Sequence, residues 1–405
     1  MSRIRIENFG PLKKGFLLNS GWLEVKKVTV FTGNQGSGKS TVAKLISTFT
    51  WIEKAMMKGT MKEDWLNSYN RFVKQCEYHN ISSYFSPKSV LEYQGEGYVF
   101  KYKNGRFNAQ RKKDGDYSLP KILYIPAERN FVAAVDQAEK LRYLPKSLVT
   151  FLDEYKYALR KLKKRFDLPI NNTSLKVENG VPFISGEGYN IRLSEASSGF
   201  QSSAPLCLVA MDLAKLVKEG VDPSMRELSS KEMTKLRSEI KRILMNNRIS
   251  DEIKNESLRL LSIKYKTERF FAIVEEPEQN LFPTSQRDII NYLLSLINMN
   301  PSNSAVITTH SPYLINYLTL AIKANSIKIT KKHNQVHLTK LNSIVPINSS
   351  ISSNDVAIYE LNERNGTIMP LGEFNGIPSD QNYLNLFLQE GNKLYDELLD
   401  IEEAL

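Results

Sequence analysis

An apolar run leads into a glycine-rich loop in the stretch Val28-Thr-Val-Phe-Thr-Gly-Asn-Gln-Gly-Ser-Gly-Lys-Ser40. The run is rich in β-branched residues, which predicts a buried strand, and a helix is predicted to begin at Ser40. The loop matches G-x-x-x-x-G-K-[ST], a pattern whose main-chain N–H groups surround phosphate oxygens. A Gly-rich turn without a ligand is the alternative, but the strand before the loop and the helix after it favour a nucleotide-binding loop.

The loop residues have separate predicted roles, and the predicted ligand is ATP with Mg²⁺. Lys39 is expected to reach the β- and γ-phosphates, and the Ser40 hydroxyl is expected to bind Mg²⁺. The other residues predicted to contact the nucleotide here are Asn34, Gly36, Ser37, Gly38 and Thr41.

Two acids follow a second apolar run, Phe270-Phe-Ala-Ile-Val274. This is the form of a Walker B strand. The first acid, Glu275, would hold Mg²⁺, and the second, Glu276, would orient and deprotonate the attacking water. The usual first acid is Asp, so the site must accommodate one extra methylene at Glu275. A strand whose exposed end merely carries acids is the alternative interpretation.

His310 follows another predicted strand, residues 304–309. Because nucleotides bind at the carboxyl ends of strands in open α/β sheets, we predict that His310 acts with Glu276 by donating a hydrogen bond to the γ-phosphate. A purely structural histidine is the alternative.

A second predicted anion site lies at the start of a helix, at Ser198, Gly199 and Gln201. Helix N-termini bind anions, but Ser and Gly are also common helix caps, so the motif alone is weak.

Composition limits the class of protein. The 405 residues are 41% apolar, which predicts a globular chain, and no apolar run of 18 residues predicts a membrane span. The first residues do not resemble a signal peptide, and the two cysteines, Cys76 and Cys207, are far apart. We therefore expect a cytoplasmic protein with free thiols. The net charge of +11 weakly favours a nucleic-acid partner.

Alternating strands and helices predict an α/β core. Residues 50–95 are predicted to be helical, residues 144–166 to form a Lys/Arg-rich helix, and Ser229–Glu232 to form a capping box. Asn-Gly pairs predict hairpins at 104–105, 179–180 and 365–366. One unit, 1–405, is expected, with the segments 1–48 (β lobe and first helix), 50–170 (helices and hairpin), 171–218 (hairpin and signature helix), 222–268 (charged helical insertion) and 269–405 (Walker B strand to C-terminal helix).

In their order, these motifs resemble the ATP-binding-cassette head of the RecF/SMC-like branch, and the start Ile4–Pro11 resembles the family's first strand. Glu275–Pro283 is similar to E-E-P-E-x-x-L-x-P, the form typical of stand-alone bacterial AAA-type ATPases. These include the ATPases of overcoming-lysogenization-defect nucleases and several anti-phage systems. The resemblance implies a P-loop NTPase head with an antiparallel β lobe, a mostly parallel core sheet and a short helical insertion.

The resemblance also implies how the motifs cooperate. The residues matching Ser198, Gly199 and Gln201 contact the γ-phosphate held by a partner subunit, so two heads enclose two ATP molecules. Gln279 and Asn280 then belong to the D-loop at the dimer seam.

Two departures from the family matter, and a nuclease motif is incomplete. No Q-loop glutamine follows Ile122–Pro126, so Glu128 or Arg129 would have to substitute for it. The insertion is too short for an SMC arm. Glu360 could begin a Toprim nuclease motif, but no D-x-D follows His310, so an effector activity is expected on a separate protein.

Together these features favour an ATP-hydrolysing, dimerising switch of a prokaryotic anti-phage system that acts with a separate effector. A RecF/SMC-like ATPase of DNA repair or maintenance is the main alternative. A non-hydrolysing scaffold and a transport cassette fit less well. Basic clusters are candidate nucleic-acid contacts, although solvated helix faces would look the same: Arg111–Lys113, Arg160–Arg165 and Lys235–Arg242.

Overall fold

A computed structural model describes residues 2–68, 70–112, 117–135, 137–219, 230–246, 249–265, 267–329, 335–380 and 382–403. Its strands are β1 (Ser2–Glu7), β2 (Gly15–Phe16), β3 (Leu23–Val25), β4 (Val28–Gly33), β5 (Val90–Gln94), β6 (Tyr98–Lys103), β7 (Arg106–Arg111), β8 (Pro120–Ile125), β9 (Phe166–Asp167), β10 (Ser174–Glu178), β11 (Val181–Gly186), β12 (Tyr189–Arg192), β13 (Arg269–Glu275), β14 (Ser304–Thr309), β15 (Val356–Asn362), β16 (Thr367–Pro370), β17 (Glu373–Phe374) and β18 (Ile377–Pro378). Its helices are α1 (Lys39–Met57), α2 (Glu63–Asn67), α3 (Arg71–Gln75), α4 (Phe131–Ala134), α5 (Lys146–Lys161), α6 (Ser198–Glu219), α7 (Ser230–Leu244), α8 (Asp251–Tyr265), α9 (Pro283–Ile297), α10 (Pro312–Lys328), α11 (Gln335–Ile344) and α12 (Tyr383–Glu403).

The central sheet has the strand order β2-β16-β15-β4-β14-β13-β8. From β15 to β8 all neighbours are parallel, and only the β15–β16 pair is antiparallel. Thr308 pairs with Phe31 on one side and with Glu275 on the other. The carboxyl ends of β4, β14 and β13 therefore lie side by side, which brings together the segments that follow them. This mostly parallel core sheet confirms the predicted fold class.

Both faces of the core sheet are covered, which explains why its strands are almost continuously apolar. Phe270, Ala272 and Val274 lie in a buried cluster with residues of α5, α6, α9 and α10. Phe271 and Ile273 point to the opposite face, where they join residues of α1 and of the antiparallel sheet. Successive side chains of β13 therefore pack alternately against the layer on one face of the sheet and the layer on the other.

The antiparallel lobe is a five-stranded sheet with the order β3-β1-β5-β6-β7. Its inner face packs on α1 through stacked rings, with Phe49 of α1 lying 5.2 Å from Tyr93 of β5 and 5.9 Å from Phe100 of β6 between ring centroids. The β6–β7 turn has Asn104 at φ 52° and Gly105 at φ 72°, as a type I′ hairpin requires. A separate four-stranded sheet, β12-β11-β10-β9, leads to α6.

Two secondary-structure predictions need correction. Residues 50–95 are not helical throughout, because β5 pairs with β1 in the antiparallel sheet. The basic helix ends at Lys161, before strand β9. The third predicted hairpin is present, and its loop, 363–366, has four residues. The predicted capping box begins at Ser229, which lies outside the described ranges. The predicted charged insertion, 222–268, contains α7 and α8.

Within the described ranges, one helical stretch, Ser198–Lys218, is long and apolar enough to cross a membrane by composition alone. It lies inside α6, and 72% of its most apolar window is buried in the protein. This burial is typical of a core helix.

A buried acid in α1 makes the stability of the fold depend on pH. Glu53 is 1% exposed, and its Oε1 accepts the N–H groups of Gly97 and Tyr98 at 2.8 and 3.0 Å. Burial raises the pKa of this carboxyl from 4.5 to about 7. Between pH 4.5 and about pH 7, the folded protein keeps a proton on Glu53 that the unfolded chain has released. The resulting stabilisation is complete below pH 4.5 and is lost as the pH rises through 7.

We expect Glu53→Gln to remove this dependence, because the amide oxygen can still accept both N–H groups without carrying a charge. Between pH 4.5 and pH 8, the free energy of unfolding of the variant should rise relative to the wild type by about 3 kcal/mol. Urea unfolding at a series of pH values measures the difference. Glu77→Gln, at an exposed position, is the control. Parallel pH curves for wild type and Glu53→Gln would contradict the assignment.

Candidate active site

The phosphate loop joins β4 to α1, and its glycines have backbone conformations that other residues avoid. Gly33, Gly36 and Gly38 have φ values of 144°, 74° and 100°. A side chain at Gly33 would collide with the carbonyl oxygen of Leu361, and a Cβ at Gly38 would lie 2.8 Å from Leu12 Cδ2. Turns of this kind direct successive N–H groups toward an anion.

The other predicted phosphate-binding residues of the loop differ in exposure. Asn34 and Gly36 are exposed, Ser40 is partly exposed, and Ser37 and Thr41 are buried. The Asn34 side chain accepts the N–H of the next residue at 2.8 Å. The buried Ser37 hydroxyl has no hydrogen-bond partner among the described residues. A ligand can satisfy such a group.

Lys39 lies across the inside of the loop with only 5% of its surface exposed. Its Nζ donates to the carbonyl oxygens of Gly33 and Asn34, both at 2.9 Å. Burial lowers the pKa of Lys39 to about 8, against the opposing effect of the carboxylates of Glu276 and Glu278. The ammonium group therefore faces the space enclosed by the loop, and most copies carry a positive charge at neutral pH.

Three predicted site residues form a continuous chain. Lys39 Nζ lies 3.4 Å from His310 Nδ1, and His310 Nε2 lies 3.3 Å from Glu276 Oε1. Because an ammonium group can only donate, Nδ1 accepts, and the ring proton is on Nε2, where it is donated to the carboxylate. This hydrogen bond is the main reason that the pKa of Glu276 is lowered. The carboxylate is therefore ionised and able to accept a proton.

Sequence reasoning gave no role to Glu278. Its Oε1 accepts the Thr309 hydroxyl at 2.7 Å and the main-chain N–H of His310 at 2.8 Å. These bonds fix the backbone at the end of β14 and so help to orient the histidine. The spacing of Glu278 after the Walker B acids was the only available signal, because its partners lie on another strand.

Glu275, the predicted metal ligand, is 3% exposed. Its Oε2 accepts the main-chain N–H of Ala127 at 3.3 Å. Tyr124 faces the same carboxylate, and burial together with this charge raises the pKa of the Tyr124 phenol. The Glu275 side chain, one methylene longer than the usual Asp, therefore reaches across to β8 and the turn that follows it.

The predicted signature residues lie elsewhere. Ser198 is exposed at the start of α6, and Gln201 Nε2 donates to the carbonyl oxygen of Ser194 at 2.9 Å. Gly199 is packed so closely that a Cβ there would lie 2.8 Å from the carbonyl oxygen of Asn280. In the described part of the chain, no hydrogen bond joins Ser198, Gly199 or Gln201 to the phosphate loop.

The two candidates for the missing Q-loop glutamine differ sharply in exposure. Glu128 is exposed, whereas Arg129 is fully buried and donates to main-chain carbonyl oxygens. Arg129 therefore does not extend into the space above the phosphate loop.

A parallel sheet that brings a phosphate loop, two acids and a histidine to one edge defines a P-loop NTPase. The AAA ATPase domain model matches residues 62–315, which hold the predicted signature, Walker B and histidine segments; the phosphate loop precedes this region. The chain belongs to the AAA ATPase domain family, and it binds and hydrolyses ATP.

The chain is also similar to solved structures, at low identity. The SMC head domain from Thermotoga maritima is 10% identical with a TM-score of 0.38, over 92% of this chain and 98% of that one. An SMC head with an extended coiled coil, bound to the C-terminal domain of ScpA from Pyrococcus furiosus, is 10% identical with a TM-score of 0.38, over 98% and 100%. A dimeric ATP-binding cassette bound to ADP and Pi is 11% identical with a TM-score of 0.28, over 92% and 100%. No curated protein sequence matches the chain.

Proposed function

We propose that this ATPase is a dimerising switch, in which each ATP lies between the phosphate loop of one copy and the signature residues of a second copy. The observation that carries the proposal is the division of the site. Lys39, His310 and Glu276 are linked within one chain, whereas Ser198 is exposed at a separate helix terminus. A second copy would supply the anion-binding helix start that each loop lacks. Phe282, 74% exposed beside the D-loop, is of a residue type enriched in interfaces.

The residues at the sheet edge fit a magnesium ion. Phe271 and Ile273 lie on the face covered by α1, and strand alternation places Glu275 on that same face. Ser40 lies in the first turn of α1, so a hydroxyl and a carboxylate are available there. Mg²⁺ is usually held by one or two such oxygens, phosphate oxygens and water. When bound, the ion would neutralise charge on the β- and γ-phosphates.

The proposed roles of the other residues follow from their contacts. Lys39 and the loop N–H groups hold the phosphates, because a cation and main-chain donors enclose the same space. Glu276 is the proposed base that accepts a proton from the attacking water. His310 holds the Glu276 carboxylate through Nε2 and lies next to Lys39. Its proposed hydrogen bond to the γ-phosphate would use the same Nε2–H, which would have to turn from Glu276 toward the phosphate.

Dimerisation is tested by Ser198→Arg. We expect the variant to bind ATP as a monomer but to lose the ATP-dependent dimer, because a bulky cation replaces a small residue at the proposed seam. Sedimentation velocity with and without ATP measures the dimer, and nucleotide titration measures binding. Ser302→Arg is the control, since Ser302 is exposed at the opposite edge of the sheet, before β14. An undisturbed dimer in Ser198→Arg would count against the signature assignment.

The biological setting that we assign to the switch is prokaryotic anti-phage defence with a separate effector protein. The support is the similarity of Glu275–Pro283 to the corresponding segment of anti-phage ATPases. In addition, the strand that carries Glu360 pairs with β4 in the ATPase core sheet, so this acid is part of the ATPase sheet. Phage plating on cells that carry the gene with its neighbours tests the assignment. Protection that is lost with Glu276→Gln supports it, and equal plating with and without the locus contradicts it.

A DNA repair or maintenance ATPase is the second candidate, favoured by the exposed basic end of α5. Arg160, Lys161, Lys163, Lys164 and Arg165 are all exposed, although Lys161 and Arg165 pair with acids. Survival after DNA damage, measured in the same strains, separates the two settings. A steep fall of DNA affinity with salt would support phosphate contacts, and a slope near zero would remove this candidate.

A further inference from the structure

Arg129 is the largest fully buried side chain in the described part of the protein, with 0% exposure. It lies in the short turn 127–130 after β8. Its guanidinium donates to the carbonyl oxygens of Glu275 and Glu276, both at 2.6 Å. It also donates to the carbonyl oxygens of Ser202 at 3.2 Å and Pro126 at 3.4 Å. One side chain thus joins the loop after β8, the end of the Walker B strand and the first turns of α6.

Burying a guanidinium is costly, so a role in packing alone would be better served by an apolar side chain. Burial lowers the pKa of Arg129 to about 10, while the charges of Glu278 and Glu276 oppose the decrease. The group is therefore cationic at neutral pH. What it provides that an apolar residue cannot is a rigid fork of donors with fixed directions.

The fork acts on a residue with an unusual backbone. Glu276 has φ 44°, a left-handed conformation that is uncommon for a residue with a side chain. Its N–H donates to the carbonyl oxygen of Thr308 at 2.9 Å, and its own carbonyl oxygen accepts from Arg129. Both sides of the residue are therefore tied, which sets the direction in which its carboxylate points toward His310.

The same fork reaches the signature helix. Ser202 lies one turn after Ser198 on α6, and Gly199 of the same turn packs against the carbonyl oxygen of Asn280. Movement of the start of α6 would therefore displace an acceptor of the guanidinium. No other described side chain hydrogen-bonds to both α6 and the main chain of the two Walker B acids.

We propose that Arg129 is a positioning residue that couples engagement of the signature helix by the partner's nucleotide to the alignment of Glu276. The inference rests on the proposed dimerising function. In the unengaged chain the fork holds Glu276 in its left-handed conformation. When α6 is drawn toward a nucleotide, the displacement reaches the Glu276 peptide through a single rigid group.

The variant Arg129→Lys tests the coupling, because lysine keeps the charge but loses the fork. We expect its ATP affinity and ATP-dependent dimer to stay within about threefold of the wild type, while kcat falls about 100-fold, the typical effect of a small misplacement of a catalytic group. In the wild type, hydrolysis per chain should rise with protein concentration as dimers form. In Arg129→Lys the dimer should form without this rise.

A wild-type rate in Arg129→Lys would overturn the proposal, as would a loss of ATP binding and of the dimer in a variant that is folded. If the wild-type protein forms no dimer with ATP, the proposed function itself is refuted. Hydrogen exchange of the wild-type protein keeps the test valid if the variant does not fold. ATP should slow exchange of residues 198–206 and 273–280 together in the wild type. In Ser198→Arg, residues 198–206 should not change, and residues 273–280 should keep only the protection given by ATP in the loop of the same chain. Protection of 198–206 alone would overturn the coupling.

Discussion

Lys39→Ala is expected to abolish measurable ATP binding and, with it, hydrolysis. The Nζ of Lys39 is buried inside the loop and hydrogen-bonded to two loop carbonyls, so phosphate oxygens entering the loop meet a partly desolvated cation. Truncating one partner of a buried, hydrogen-bonded charge pair costs about 2–5 kcal/mol, which corresponds to an affinity loss of roughly 30-fold to several thousandfold. Isothermal titration calorimetry measures the loss.

Lys44→Ala is the matched control, because Lys44 lies on the next turns of the same helix and is partly exposed. The pKa of about 8 adds a second criterion. The wild-type affinity should fall as the pH rises above about 8, where Lys39 of the free protein loses its proton, and Lys44→Ala should show the same decrease. Undiminished affinity in Lys39→Ala would refute the assignment of the phosphate loop.

Glu276→Gln is expected to bind ATP normally and to hydrolyse it about 10²- to 10⁴-fold more slowly, the range typical for loss of a general base. The glutamine oxygen can still accept the Nε2–H of His310, so the geometry should survive while the ability to take a proton is lost. Because hydrolysis would no longer separate the proposed dimer, ATP-bound dimers should accumulate.

Single-turnover hydrolysis and sedimentation with ATP measure the two effects of Glu276→Gln. Glu268→Gln is the control, since Glu268 is an exposed acid just before the opposite end of the same strand. Unchanged turnover in Glu276→Gln would show that another group is the base. Slow turnover without any dimer would support the catalytic role and contradict the switch.

The core sheet could be predicted from the sequence because its strands are short apolar runs that end at recognisable polar segments. Strand β5, Val90–Gln94, was missed. Its burial alternates, but it follows an aromatic region of mixed charge, and its strand character depends on pairing with β1 far away in the chain. Tertiary contacts there outweigh the local pattern.

The candidate site, like the fold, could be predicted only in part. Lys39, Glu276 and His310 could be predicted to lie near one another, because each follows the carboxyl end of a parallel strand. The contacts of Arg129 could not be predicted. A basic residue after a strand resembles a surface residue, and its acceptors are main-chain oxygens, which leave no trace in the pattern of side chains.

The position of Ser198 has a consequence for inheritance. It is exposed, and no hydrogen bond in the described chain joins it to the phosphate loop of the same copy. In the proposed dimer, a chain with a defective loop still lends its signature to a neighbour. Two chains with different defects can therefore restore one working site between them, whereas a chain with both defects disables each dimer that it enters. The same two defects would thus complement each other when they lie on different copies of the gene and would be dominant when they lie on one copy.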